Sequence, residues 1–155
     1  MADILAERIA QPDLATLPEW RVAEILNTPD PAFPLVRQAV SRRDVQEILL
    51  ASGEWAKIER TSLSDAVPVS LRDACINLRD TIRQSETIRT DNPAIFGAVS
   101  QVLAGLVQAE FLSADTSAAL LALTERQQSW AEYNRIEVTP QTVGAARPPV
   151  QQGGA

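Results

Sequence analysis

The sequence predicts an all-α protein, an irregular helical bundle with an N-terminal helical arm and a flexible C-terminal tail. Three observations support this fold class. Apolar residues recur at helical spacing through most of the 155 residues. Good helix-capping residues precede several of these segments. No two segments alternate polar and apolar residues in the way that paired strands do.

The first 34 residues are predicted to be a helical arm and a proline-rich linker. One short helix is predicted to end before Pro12, and a second to begin at Pro18, because proline suits the first position of a helix. The segment Pro29–Pro34 contains three prolines, which exclude a helix and predict a stiff extended linker. Phe33 is expected to hold this linker against the core.

Residues 35–147 are predicted to form the helical domain, and residues 148–155 the flexible tail. Ser41 is a suitable N-cap for the first helix of this domain, and Asp44 stands in the position of a capping box. Gly53 is predicted to end that helix. A further turn or two of helix is expected directly after it.

The middle of the chain contains the two strongest helical patterns. The first has an apolar face formed by Leu71, Cys75, Leu78 and Ile82, and an arginine face formed by Arg72, Arg79 and Arg83. The second begins at Asn92-Pro93 and continues to Phe111, with small residues among its apolar ones. We interpret this second helix as the central buried one. Ser113 and Thr139 are predicted to cap two later helices.

Composition and charge exclude several classes of protein. The net charge is −6, and no run of basic residues is longer than Arg42-Arg43, so we expect no specific nucleic-acid partner. The longest apolar stretch is interrupted by polar residues and is too short for a membrane span, so no membrane partner is expected.

Histidine is absent, and Cys75 is the one cysteine. These two residue types are the usual bases, nucleophiles and zinc ligands of soluble enzymes near neutral pH. Phosphate-binding and calcium-binding motifs are also missing from the sequence. Carboxylate pairs such as Asp73 and Asp80 lie beside arginines on helices that look exposed. The sequence therefore predicts a protein that is not an enzyme and has no catalytic residue, metal or cofactor.

Six residues are candidates for an interface with another protein: Phe33, Arg72, Arg79, Arg83, Trp130 and Tyr133. Trp and Tyr are favoured anchors at protein interfaces. The alternative is that Trp130 and Tyr133 pack the C-terminal segment onto the bundle. The arginines are either a charged docking stripe or a solvated face with ion pairs three or four residues apart.

Three segments of the chain resemble small helical proteins encoded in the virion-gene clusters of tailed bacteriophages. The first is Leu26-Asn27-Thr28-Pro29, and the second is ILLASGEW, from Ile48 to Trp55. The third is QQSWAE at Gln127–Glu132, followed by Val138-Thr139 and Val143–Arg147. The resemblance extends over roughly residues 2–147.

This resemblance implies a virion structural subunit at the head–tail junction or in the tail. Its partners would be other virion proteins and copies of itself. Such a subunit would occur in the host cytoplasm during assembly and then in the virion. Two alternatives remain open. One is an assembly factor, such as a scaffold or tail chaperone, that is absent from the finished particle, and the other is a helical regulator that binds a host protein.

Overall fold

A computed structural model of the protein describes residues 2–147. Nine helices and four strands of two residues each occur within this range, which confirms the predicted all-α class. The predicted tail at 148–155 lies outside the described residues. The helices are α1 (Ala2–Ile9), α2 (Glu19–Asn27), α3 (Arg42–Ala51), α4 (Glu54–Ser62), α5 (Val69–Gln84), α6 (Pro93–Gln108), α7 (Ala114–Ala122), α8 (Trp130–Tyr133) and α9 (Pro140–Ala146).

The four short strands form two antiparallel pairs. They are β1 (Val36–Arg37), β2 (Val40–Ser41), β3 (Thr87–Ile88) and β4 (Glu125–Arg126). β1 pairs with β4, where Val36 is opposite Arg126, and β2 pairs with β3, where Val40 is opposite Ile88. Two residues are too few to show an alternating pattern, so the sequence does not predict these strands.

The described chain divides into two compact units, and the second is inserted into the first. Residues 2–35 and 127–147 form unit 1, and residues 36–126 form unit 2. This division differs from the predicted arm at 1–34 and single domain at 35–147. The chain passes from unit 1 to unit 2 after a proline-rich segment. It passes back to unit 1 after residue 126, where no proline or glycine marks the boundary.

Unit 1 has a small aliphatic core built from both ends of the described chain. α9 packs against α1 and α2, whose apolar faces it covers. The buried residues are Leu5, Ile9, Leu14, Val22, Ala23, Leu26, Ala131, Val138 and Val143. Asn27 adds a polar link, because its Nδ2 donates to the carbonyl oxygen of Val138 at 2.8 Å. The predicted N-terminal arm is thus part of a packed unit.

The segment between α2 and β1 is folded into turns. The N–H of Phe33 donates to the carbonyl oxygen of Asp30 at 3.1 Å, and the N–H of Asp30 donates to that of Gln128 at 3.1 Å. Nε2 of Gln128 also donates to the carbonyl oxygen of Pro34 at 2.9 Å. The prediction of a stiff extended linker is therefore wrong, because a second segment of the chain holds it in turns.

Unit 2 contains α3 to α7 around a larger aliphatic core. Its buried residues are Val40, Val45, Leu49, Ile58, Cys75, Leu78, Ile82, Ile88, Leu103, Leu106, Phe111, Leu112 and Leu120. Ser41, Asn92 and Ser113 cap α3, α6 and α7 as predicted. The capping box expected at Ser41 is not formed, since its Oγ accepts the N–H of Arg43 at 3.1 Å. Asp44 is one methylene shorter than the Glu that usually closes such a box.

α6 carries no charged residue and is rich in apolar ones, yet it is only partly buried. Its buried side chains are Leu103 and Leu106, and Ile95 is 38% exposed. The interpretation of this helix as the central buried one is therefore wrong for the chain described. One side of α6 faces the core of unit 2. The opposite side is open, as Gly97 and Gly105 show, because a Cβ at either position would meet no other atom within 4 Å.

Candidate functional site

The candidate site is an apolar groove in unit 2 with a volume of about 280 Å³, which we call the α5–α6 groove. Its lining includes Leu78 and Thr81 of α5, and Ala98, Val99 and Val102 of α6. Val102 lies about one turn after Ala98 and Val99, so these three residues lie on the same side of that helix. They form an aliphatic wall beside α5.

The groove extends the core of unit 2 towards solvent. Leu78 and Leu103, which also lines the groove, are buried. Val99 and Val102 are half-buried, and Ala98 is exposed at the rim. Burial thus falls along the lining, and the apolar surface of the core reaches the outside of the unit.

Two of the lining hydroxyl groups are already bonded to the backbone. Thr90 Oγ1 donates to the carbonyl oxygen of Gln38 at 2.6 Å, and Thr124 Oγ1 donates to that of Leu121 at 2.7 Å. None of the described residues that line the groove is charged. The groove is therefore suited to apolar, uncharged groups.

Two of the candidate arginines on α5 form ion pairs inside unit 2. Arg72 pairs with Asp65 of the loop between α4 and α5, and Arg83 pairs with Glu59 of α4. Neither partner lies three or four residues away on α5, so the spacing expected for ion pairs on a solvated helix face is wrong for these two. The pairs instead attach α5 to the preceding helix and loop.

Arg79 is the most buried of the three candidate arginines, with a side chain 17% exposed. It pairs with Asp80 at 2.8 Å, and its Nη1 donates to Ser62 Oγ at 2.8 Å. Ser62 is the last residue of α4. Arg79 therefore also links α4 to α5. Its guanidinium is engaged by Asp80 and Ser62 and is not free to serve in a docking stripe.

Unit 1 brings Phe33 and Tyr133 together although they are far apart in the sequence. Their ring centroids are 5.0 Å apart, and the ring planes make an angle of 28°, a stacked arrangement. Trp130 is half-buried and packs against the unit 1 core. The structure thus gives all three aromatic candidates a packing role, and their role at an interface stays a prediction.

The carboxylate of Glu54, to which the sequence assigns no role, links α4 to α7. Oε1 of Glu54 accepts the N–H of Ser113, the N-cap of α7, at 2.7 Å. Burial is the largest influence on the pKa of Glu54 and raises it. The N–H of Ser113 and the hydroxyls of Thr116 and Ser52 together outweigh that effect and hold the pKa below its ordinary value. No local pattern signals this contact, which joins positions 59 residues apart.

Lys57 and Cys75 are two further groups of unit 2 with possible chemistry. Nζ of Lys57 donates to the carbonyl oxygen of Phe111 at 2.6 Å and lies 4.4 Å from the centroid of its ring. Burial raises the pKa of the Cys75 thiol, and the positive charge of Lys57 opposes that shift only in part. A buried thiol with a raised pKa is a poor nucleophile, so Cys75 acts here as a small apolar residue.

Within residues 2–147, no three acidic or thiol side chains come together as ligands for a metal ion would. In the same part of the chain, no helix combines the length and the hydropathy that crossing a bilayer requires. Comparison of the chain with protein-family models, with curated proteins and with solved structures found no match.

Proposed function

We propose that this protein is a non-enzymatic structural subunit of a tailed-phage particle, at the head–tail junction or in the tail, and that it acts through protein–protein contacts. The α5–α6 groove is the observation that carries this proposal. It is an uncharged, mainly aliphatic surface that opens to solvent. Surfaces of this kind are favourable sites for the apolar side chains of another protein.

The side chains around the groove favour binding over catalysis. The polar groups that line it are hydroxyls and one amide, from Thr81, Thr90, Thr124 and Asn77. General acid–base or nucleophilic catalysis needs a group that can exchange a proton near neutral pH, and these side chains do not. The resemblance of the chain to proteins from virion-gene clusters supports a place in the particle.

Quantitative mass spectrometry of purified phage particles tests the proposal. We expect this chain at a fixed copy number relative to the major capsid protein. A few copies per particle would indicate a junction or a tip, and many copies would indicate a tube or shell. A replication protein of the same phage serves as the control and has to be absent from the preparation.

The structural role is contradicted if the chain is abundant in infected cells but missing from purified particles. That result would favour an assembly factor or a regulator of a host protein.

A further inference from the structure

Unit 2 carries a second apolar surface besides its groove, on the loop between α4 and α5. Leu63, at the end of α4, is 78% exposed, the highest value among the large apolar side chains of the described residues. Val69, the first residue of α5, is 61% exposed. These two exposed aliphatic side chains flank one short loop, and covering them with another surface lowers the free energy.

This loop cannot fill the groove of its own chain. On α5, the lining of the groove begins at Asn77, eight residues after Val69, which is about 12 Å along the helix axis. The loop is also held at the start of α5, because Arg72 pairs with Asp65 and the N–H of Leu71 donates to the carbonyl oxygen of Pro68 at 3.0 Å. Only the loop of a different molecule can reach the groove.

The loop and the groove also match in charge. The lining of the groove has no charged residue. The one charged residue from Leu63 to Val69 is Asp65, and its charge is balanced by Arg72. The whole chain has a net charge of −6, so two copies repel each other overall. A contact between these two neutral surfaces adds little to that repulsion.

We propose that the segment Leu63–Val69 of one copy docks in the α5–α6 groove of a second copy. The occupant of the groove is thus a second copy of this protein. The inference rests on the proposed function, in which copies of the protein are among its partners. In this contact the loop of one copy enters the groove of the next copy, while its own groove takes the loop of a third copy, so the contact is heterologous and leaves one free loop and one free groove at the ends. Repetition of such a contact produces a closed ring or a filament, the arrangements that a junction or a tail requires.

Sedimentation velocity of the full chain, from micromolar to near-millimolar concentration, tests this contact. We expect the sedimentation coefficient of the wild type to rise with concentration. Leu63→Asp places a charge in the docking loop, and Ala98→Phe fills the rim of the groove. Each change is expected to weaken association by at least about tenfold. Leu63→Ser is a milder second variant, and thermal melts check that every variant is folded.

Two matched variants control for nonspecific effects. Leu50→Asp changes another exposed leucine, on α3, and Ala104→Phe changes an exposed alanine of α6 that does not line the groove. Both are expected to associate like the wild type. Equal losses in the control variants and in the docking variants would overturn the proposed surfaces.

A mixture of Leu63→Asp and Ala98→Phe tests the heterologous geometry. The groove of the first variant and the loop of the second are intact, so the mixture is expected to form a dimer and nothing larger. A mixture that stays monomeric would exclude this pairing. A wild type that is monomeric at every concentration would also overturn the inference and would leave the groove to a different protein. Neither result bears on the presence of the chain in particles, so a failure here is distinct from a failure of the proposed function.

Discussion

Glu54 joins two helices through a single charge-assisted hydrogen bond to the backbone. Its carboxylate accepts the N–H of Ser113, at the start of α7, where the unpaired N–H groups and the helix dipole favour a negative charge. The same bond removes an orphan donor from the end of the helix. The ionised form of Glu54 is therefore part of the folded structure.

We expect Glu54→Gln to lower the free energy of unfolding by about 1 kcal/mol at neutral pH. The pKa of Glu54 lies below its ordinary value in the folded chain. The contribution of the charge is thus fully present above the unfolded pKa, and it is lost as the pH falls through the lower, folded pKa. Urea denaturation of both proteins from neutral to acid pH measures the difference, which should shrink on acidification.

Glu47→Gln is the matched control for this change. Glu47 forms an ion pair with Arg43 one turn away on α3, and because both side chains are exposed, solvent screens the contact and it contributes little to stability. The control should therefore show a smaller loss than Glu54→Gln. A loss at Glu54 that does not change with pH would mean that packing, and not the charge, is responsible.

Single residues were predictable where the signal is local. The N-caps at Ser41, Asn92 and Ser113 follow from the residue and its neighbours. A capping box at Ser129 and Glu132 has the standard S-x-x-E spacing and could have been found the same way. The contact of Glu54 with α7 could not, because it depends on how α4 and α7 pack.

Glycines have two different roles in the helices of unit 2. Gly53 has a φ of 74°, in the left-handed region, and lies between α3 and α4. Gly97 and Gly105 lie inside α6, where a Cβ would meet no other atom within 4 Å. Of these three, only Gly53 has a backbone conformation that requires glycine.

Gly97→Ala and Gly105→Ala are each expected to raise the free energy of unfolding by up to about 1 kcal/mol, since alanine restricts the unfolded chain and favours helix. Gly53→Ala is the contrasting change and should lower it by about 1–2 kcal/mol. Urea denaturation at low protein concentration measures all three. A loss of stability in either α6 variant would show that something packs closely on that face.

At the level of elements, helix positions were predictable and helix environments were not. The spacing of its apolar residues predicts the buried face of α5, and Cys75, Leu78 and Ile82 on that face are buried. α6 is apolar almost all round, so its sequence does not show which side meets the core. The groove also could not be predicted, because its lining extends from Val40 to Thr124.

The described part of the chain consists of two units, and unit 2 has a core of its own. Its core lies entirely within residues 36–126, and its two ends are paired through β1 and β4. We expect a fragment of residues 36–126 to give a helical circular dichroism spectrum and a cooperative thermal melt. Unit 1 differs, because its core needs both of its segments.

Truncation after residue 126 tests that difference. The shortened chain lacks α8 and α9, so the backbone amides of α1 and α2 should lose their protection from hydrogen exchange, while those of α5 keep theirs. Hydrogen exchange followed by mass spectrometry distinguishes the two units. Protection that persists in α2 after truncation would contradict a core shared between the two ends.

The arrangement of unit 1 could not be predicted, because its two segments lie far apart in the sequence. Phe33 and Tyr133 stack, and Gln128 donates to the carbonyl oxygen of Pro34, across a separation that no local pattern spans. The prolines at 29–34 correctly excluded a helix in this segment. They did not indicate that a second piece of chain would fold it into turns.

Lys57 is the single lysine of the chain, and its ammonium group is already engaged with the carbonyl oxygen and ring of Phe111. Reagents that attack primary amines therefore have almost no side-chain target in this protein. Cross-linking of assembled copies has to be directed at carboxylates, which the 20 Asp and Glu residues supply. The same scarcity is useful, because a lysine introduced at the exposed position of Leu50 becomes the preferred side-chain site for one dye per copy. Bleaching steps from that dye would then count the copies in a single particle.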